Sequence, residues 1–60
     1  MIQFEYTSKI YKPVVTIDDL NAMGEQGWEF CFKRNQNEYD YGQLIESKEI
    51  VVFKRKKYSN

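Results

Sequence analysis

A single small α+β domain of β-α-β-β order is the fold class these 60 residues predict: a three-stranded antiparallel sheet, one helix on one face, and a long β-hairpin. Three observations predict it. Thr16-Ile17-Asp18-Asp19 reads as a capping box, and the apolar residues that follow fall at helical spacing. Ile2, Phe4 and Tyr6 alternate with Gln3, Glu5 and Thr7, the period of a half-buried strand. Trp28, Phe30 and Phe32 alternate in the same way, and Asp40-Tyr41-Gly42 then separates them from the apolar centre Ile50-Val51-Val52-Phe53. The expected bounds are strands over about 2–11, 28–37 and 43–55, a helix over about 17–26, and a tail over 56–60, all in one domain spanning 1–60.

The first strand ends by Pro13, which cannot donate to a ladder. In the helix, the Thr16 hydroxyl accepts from the amide of Asp19, and Asp19 reaches back to the amide of Thr16. Val15 and Leu20 have the spacing of a hydrophobic staple, and Asp18 and Asp19 put negative charge where the helix dipole favours it. Ile17, Leu20 and Met23 form the apolar face. Gly27 is the left-handed C′ residue, which makes Met23 and Trp28 the pair that meets where the helix stops. Gly24 leaves room for a close neighbour, the Trp28 indole. The rings of Trp28, Phe30 and Phe32 share one face and form the core under the helix. A three-residue turn at Asp40-Tyr41-Gly42 then returns the chain as the last strand.

Composition excludes most chemistry. Nine basic and nine acidic residues cancel, so the whole chain has no strong field for nucleic acid or acidic lipid. There is no histidine, and one cysteine cannot cross-link within the chain. No apolar run approaches the ~20 residues of a membrane span, and Met1-Ile2-Gln3-Phe4-Glu5 lacks a basic region followed by an apolar one, so secretion is not expected. A free thiol without an export signal points to the cytoplasm. A domain this short buries only about 60% of its unfolded surface, so oligomerisation is the device left to stabilise it.

Leu20-Asn21-Ala22-Met23-Gly24-Glu25-Gln26-Gly27-Trp28-Glu29-Phe30, closed by Val51-Val52-Phe53-Lys54-Arg55, resembles the family catalogued as domain of unknown function 4177. These are very short bacterial and phage proteins with a glycine-tryptophan-glutamate junction. Phe4-Glu5-Tyr6 fits their opening strand, so the resemblance covers nearly the whole chain, while Asn35 to Lys48 is longer and richer in tyrosine. The resemblance implies a fold and a bacterial or phage origin, and brings no catalytic residue.

No enzyme, cofactor or metal site is expected. The cap accounts for Asp18 and Asp19, and Cys31 has no histidine to act as its base. The surfaces are more informative. A helix of about 15 Å covers only half the length of the hairpin arms, which leaves Tyr39, Tyr41, Leu44 and Ile45 without cover. Ile50 and Val52 point one way and Val51 and Phe53 the other, so either register leaves two apolar side chains on the outer face. Cys31, Ile45, Val51 and Phe53 are the residues expected to join copies into a homodimer or larger. Tyr39, Tyr41, Asn37, Asp40 and Leu44 are expected to bind a protein partner, since tyrosine and asparagine are what recognition loops use. The function expected is therefore a non-enzymatic homo-oligomeric binding protein, for example a phage or bacterial inhibitor or accessory protein. One alternative is a nucleic-acid-binding module using Lys33, Arg34, Lys54, Arg55, Lys56 and Lys57. Another is a sponge for a nucleotide-like small molecule, with its pocket between protomers.

Overall fold

The computed structural model describes residues 2–58. Along the chain lie β1 (Ile2–Tyr11), α1 (Ile17–Glu25), β2 (Glu29–Asp40) and β3 (Gln43–Tyr58). In space the sheet order is β1-β3-β2, with both pairings antiparallel, so the last strand of the chain is the central one.

The expected class, an α+β β-α-β-β domain with a helix layer over its sheet, is corrected by these proportions. Strand accounts for 66% of the structure and helix for 16%. The cause is strand length. β3 has 16 residues and spans about 53 Å at ~3.3 Å per residue, whereas the nine residues of α1 span about 14 Å. The molecule measures 54 × 21 × 12 Å, so its long axis is β3 itself. Its radius of gyration, 14.7 Å, exceeds the about 10 Å of a compact 60-residue domain. The expected tail is strand as far as Tyr58: Lys56 and Lys57 pair with Phe4 and Gln3. Residues 59 and 60 lie outside the described residues.

The helix ends are built by local chemistry. The Asp19 amide donates to Thr16 Oγ1 at 3.2 Å, and the Thr16 amide donates to Asp19 Oδ2 at 3.1 Å. At the other end Gly27 has φ +86°, a left-handed value that suits glycine. The Gly27 amide donates to Gly24 O at 2.9 Å and the Trp28 amide to Met23 O at 3.0 Å, the two bonds of a Schellman motif. Two expectations fail here. Ile17 is exposed and does not join the apolar face. A Cβ on Gly24 would meet nothing within 4 Å, so no indole approaches it.

The core is small: Met23, Val51 and Phe53, with Tyr11, Val15, Leu20 and Trp28 packed against it. Residues directly opposite in antiparallel strands share a face, so the register decides what lies under the helix. Glu49, Val51 and Phe53 are buried and point to the helix side. Val51 and Phe53 are therefore core residues and not part of an outer interface. The outer apolar pair on β3 is Ile50 and Val52.

Two irregularities re-aim the hairpin. Phe30 pairs with Phe53 but Phe32 pairs with Val52, so Cys31 is the extra residue of a β-bulge. The bulge moves Phe32 to the face away from the helix, and the three aromatic rings do not share one side. Near the tip, Glu38 pairs with Glu46 and Tyr39 with Leu44, which makes Ile45 the second bulged residue. The turn has two residues, Tyr41 at φ +51° and Gly42 at φ +76°, closed by the pair Asp40 and Gln43. Positive φ at both positions is the signature of a type I′ turn, which replaces the expected three-residue one.

Candidate interaction surfaces

On the helix side, Glu49 is the buried charge, 4% exposed. Its Oε1 accepts from the Val15 amide at 2.7 Å, just before the helix, and its Oε2 lies 3.1 Å from Lys33 Nζ. One carboxylate thus ties β3 to the helix entry and to β2. The Val15 amide first, and the Lys33 ammonium second, hold its pKa below the usual carboxylate value. Arg55 does comparable work nearby. Its guanidinium lies 4.2 Å from the Trp28 ring centroid, pairs with Glu5, and donates to Gln26 O at 3.2 Å. These contacts seat the helix end on the sheet.

The six residues of the nucleic-acid alternative are not brought together. By register Lys33, Arg55 and Lys57 lie on the helix side, and Arg34, Lys54 and Lys56 on the other. Lys33 and Arg55 are committed to ion pairs. Lys54 Nζ sits 5.5 Å from the Phe4 ring centroid.

The side of the sheet away from the helix is open. It presents Phe4, Tyr6 and Ile10 from β1, Ile50 and Val52 from β3, and Phe32 from β2. Tyr6 is 62% exposed, Phe32 55% and Phe4 47%. At one end of this face Lys56 stands opposite Phe4 and Lys54 opposite Tyr6, and Arg34 lies opposite Ile50 within it. At the other end, Lys12 pairs with Glu46 at 2.7 Å and Lys48 with Glu38 at 3.9 Å.

A second surface lies beyond the body. β1 ends where Tyr11 meets Glu49, and Asn35 lies opposite Glu49 on β2. Further out, residues 36–40 and 43–48 form a two-stranded arm without a third strand. Tyr39, Leu44 and Ile45 are exposed there, and Tyr41 is 97% exposed at the tip. Of the residues expected to bind a partner, Tyr39 and Leu44 are cross-strand neighbours, and Asp40 and Tyr41 belong to the turn. Asn37 is occupied: its Oδ1 accepts from Ser47 Oγ at 2.9 Å. The residues expected to join copies are dispersed, with Cys31 exposed on the first bulge, Ile45 exposed on the arm, and Val51 and Phe53 in the core.

Two features escaped sequence reasoning. The open face needed the β1–β3 register and the Cys31 bulge, neither of which period-2 alternation reveals. Glu49 had no signal beyond a single acid next to an apolar run. Among the described residues, no pocket forms, no group of three or more cysteine, histidine or acidic side chains could hold a metal ion, and no helix is long and apolar enough to cross a membrane. Comparison with protein families, with curated proteins and with solved structures finds no match to this chain.

Proposed function

We propose that this chain is a non-enzymatic binding protein that works as a homo-oligomer in the cytoplasm and engages a protein partner with the end of its hairpin arm. The observation that carries this reading is Tyr41. It is 97% exposed, at the extreme end of a 54 Å molecule, with a left-handed backbone. A non-glycine residue in that region carries a strain of about 1–2 kcal/mol. With so little of its surface covered, the ring packs against almost nothing in its own chain, and contact with another molecule is the role left to it. Tyr39, Leu44 and Ile45 supply apolar area around it, as anchors at the centre of an interface do. Chain chemistry supports a non-catalytic role: 60 residues contain no histidine, and the one thiol is exposed on a bulge.

The test compares three forms of the chain as bait in extracts of its native host, at low and at high salt. The wild type and a Lys56→Ser, Lys57→Ser form should retain the same protein at both salt concentrations. A Tyr39→Ala, Tyr41→Ala form should lose it and keep its circular dichroism. If only the lysine form loses the bound material, and binding falls steeply with salt, the partner is nucleic acid and the arm reading fails.

A further inference from the structure

We infer that a second copy of this chain docks on the free edge of β1, antiparallel and centred on Thr7, so that two three-stranded sheets join into one of six. This rests on the homo-oligomeric part of the reading above, deepens it, and is independent of what the arm binds.

The two outer strands of the sheet differ as edges. β2 is broken by the bulge at Cys31 and carries five charged side chains, Glu29, Lys33, Arg34, Glu38 and Asp40. Bulges and charges are the devices by which a sheet keeps an edge from pairing. β1 runs for ten residues in unbroken register with β3 and carries only Glu5 and Lys9. The helix approaches β2 and leaves the β1 edge uncovered. A long regular edge of this kind is a template for another strand.

The strand that fits is β1 itself. Paired antiparallel about Thr7, Glu5 stands opposite the partner's Lys9 and Lys9 opposite the partner's Glu5. In the same register Phe4 meets the partner's Ile10, and Thr7 meets its own copy. Residues directly opposite share a face. Glu5 and Lys9 lie on the helix side, across β3 from Arg55 and Val51, while Phe4 and Ile10 lie on the open side, so each pair is brought together. Opposite charges, aromatic with aliphatic, and threonine with threonine are the cross-strand pairs that stabilise a sheet. Neighbouring registers lose this match. Centring on Glu5 or on Lys9 sets like charges opposite, and centring on Tyr6 or Ser8 leaves both charges opposite neutral residues.

Both charges are available for it. Arg55 engages Glu5 through Oε1, which leaves Oε2 for a second cation. Lys9 is exposed and pairs with no acidic side chain among the described residues. Phe4 and Ile10 are 47% and 57% exposed in the single chain, so each has area for the other to cover. The pairing spans residues 3–11 and stops short of Pro13, which could not donate to it. A two-fold axis through Thr7 is isologous and closes at two copies. It keeps both helices on one side of the joined sheet and points the two arms in opposite directions.

Sedimentation velocity on the full chain at micromolar concentration should report twice the 7.3 kDa of one chain. Its melting temperature should rise with protein concentration, as mass action requires when only the folded state associates. Lys9→Glu should weaken association about tenfold or more, since each dimer then sets two pairs of acids opposite one another. Lys9 is exposed in the single chain, so its circular dichroism should persist. Cysteines read the register in a Cys31→Ser background. Thr7→Cys should cross-link two copies on mild oxidation, whereas Ser8→Cys stands diagonally from its own copy at about 7–8 Å, beyond the reach of a disulfide. A monomeric wild type whose melting temperature ignores concentration overturns the proposal and the homo-oligomeric reading together, and leaves the edge to a strand of another protein. A dimer that tolerates Lys9→Glu and does not cross-link through Thr7→Cys is joined elsewhere, and overturns this inference alone. So does a dimer that cross-links through Ser8→Cys and not through Thr7→Cys. The Tyr39→Ala, Tyr41→Ala form should remain a dimer while losing its protein partner, which separates failure of this inference from failure of the arm reading.

Discussion

From β1 to the helix, the sheet has three strands, a covered face, and Met23, Val51 and Phe53 closed into a core. From residue 36 to residue 48 the same β2 and β3 continue as two strands with apolar side chains in solvent. The two regions draw on similar residue types. Leu44 and Ile45 on the arm are as apolar as Val51 and Phe53 in the body, yet the former are exposed and the latter buried. What differs is the neighbour, not the residue: a third strand and one short helix reach only as far as Tyr11 and Val15. A two-stranded hairpin alone is marginal in water, so the body must hold the arm in shape. Stability and the capacity to bind are thereby placed at opposite ends of one strand.

Breaking the body should have the largest effect. Phe53→Ala removes the largest buried side chain, and a fully buried phenylalanine costs about 3–5 kcal/mol when truncated to alanine. That is most of the stability of a domain of this size. Leu44→Ala on the arm is a surface change and should stay within about 0.5 kcal/mol. Urea titrations of both variants, followed by circular dichroism, measure the contrast.

A titration sharpens the same division. The Glu49 carboxyl has a pKa in the folded chain held below its ordinary 4.5 by the Val15 amide and the Lys33 ammonium. A depressed carboxyl pKa contributes stability that is present above the ordinary value and lost as pH falls below it. The wild-type melting temperature should therefore drop as pH is lowered from 4.5. Glu49→Gln should melt lower than wild type at neutral pH and show a shallower drop in acid. Glu46 on the arm, whose carboxyl Lys12 also holds below its ordinary value, adds to the acid drop in both proteins alike and leaves the difference between them to Glu49.

Gly24→Ala should have the smallest effect, and of opposite sign. The added methyl meets nothing within 4 Å, and alanine is favoured over glycine inside a helix by about 0.5–1 kcal/mol. Differential scanning calorimetry should find a higher melting temperature and unchanged partner binding.

The parts of the fold legible in the sequence are those set by neighbours along the chain. The capping box at Thr16 and the Schellman bonds after Met23 involve residues at most five apart, and their residue types are selective. The rest depends on register. Phe32 keeps perfect alternation with Phe30 in sequence, but the bulge at Cys31 puts it on the other face. Val51 and Phe53 could be assigned inside or outside only once β3 was paired with β1. Tyr41 in a left-handed turn runs against its own backbone preference, so the two-residue turn had no local signal. The full reach of the last strand was likewise hidden, because Lys56 and Lys57 look like a solvated tail until β1 is laid beside them. For the arm, the lengths of helix and hairpin were enough to show that Tyr39, Tyr41, Leu44 and Ile45 lie out of reach of cover.

Native-state hydrogen exchange tests the separation of body and arm most directly. The amides of residues 50–54 in β3, flanked by β1 and β2, should exchange only through global unfolding. Those of 36–40 and 43–48 should exchange through local opening, orders of magnitude faster. Arm amides as slow as those of Val51 and Phe53 would contradict the account, because the arm would then belong to the same cooperative unit as the core and would not be a free recognition end.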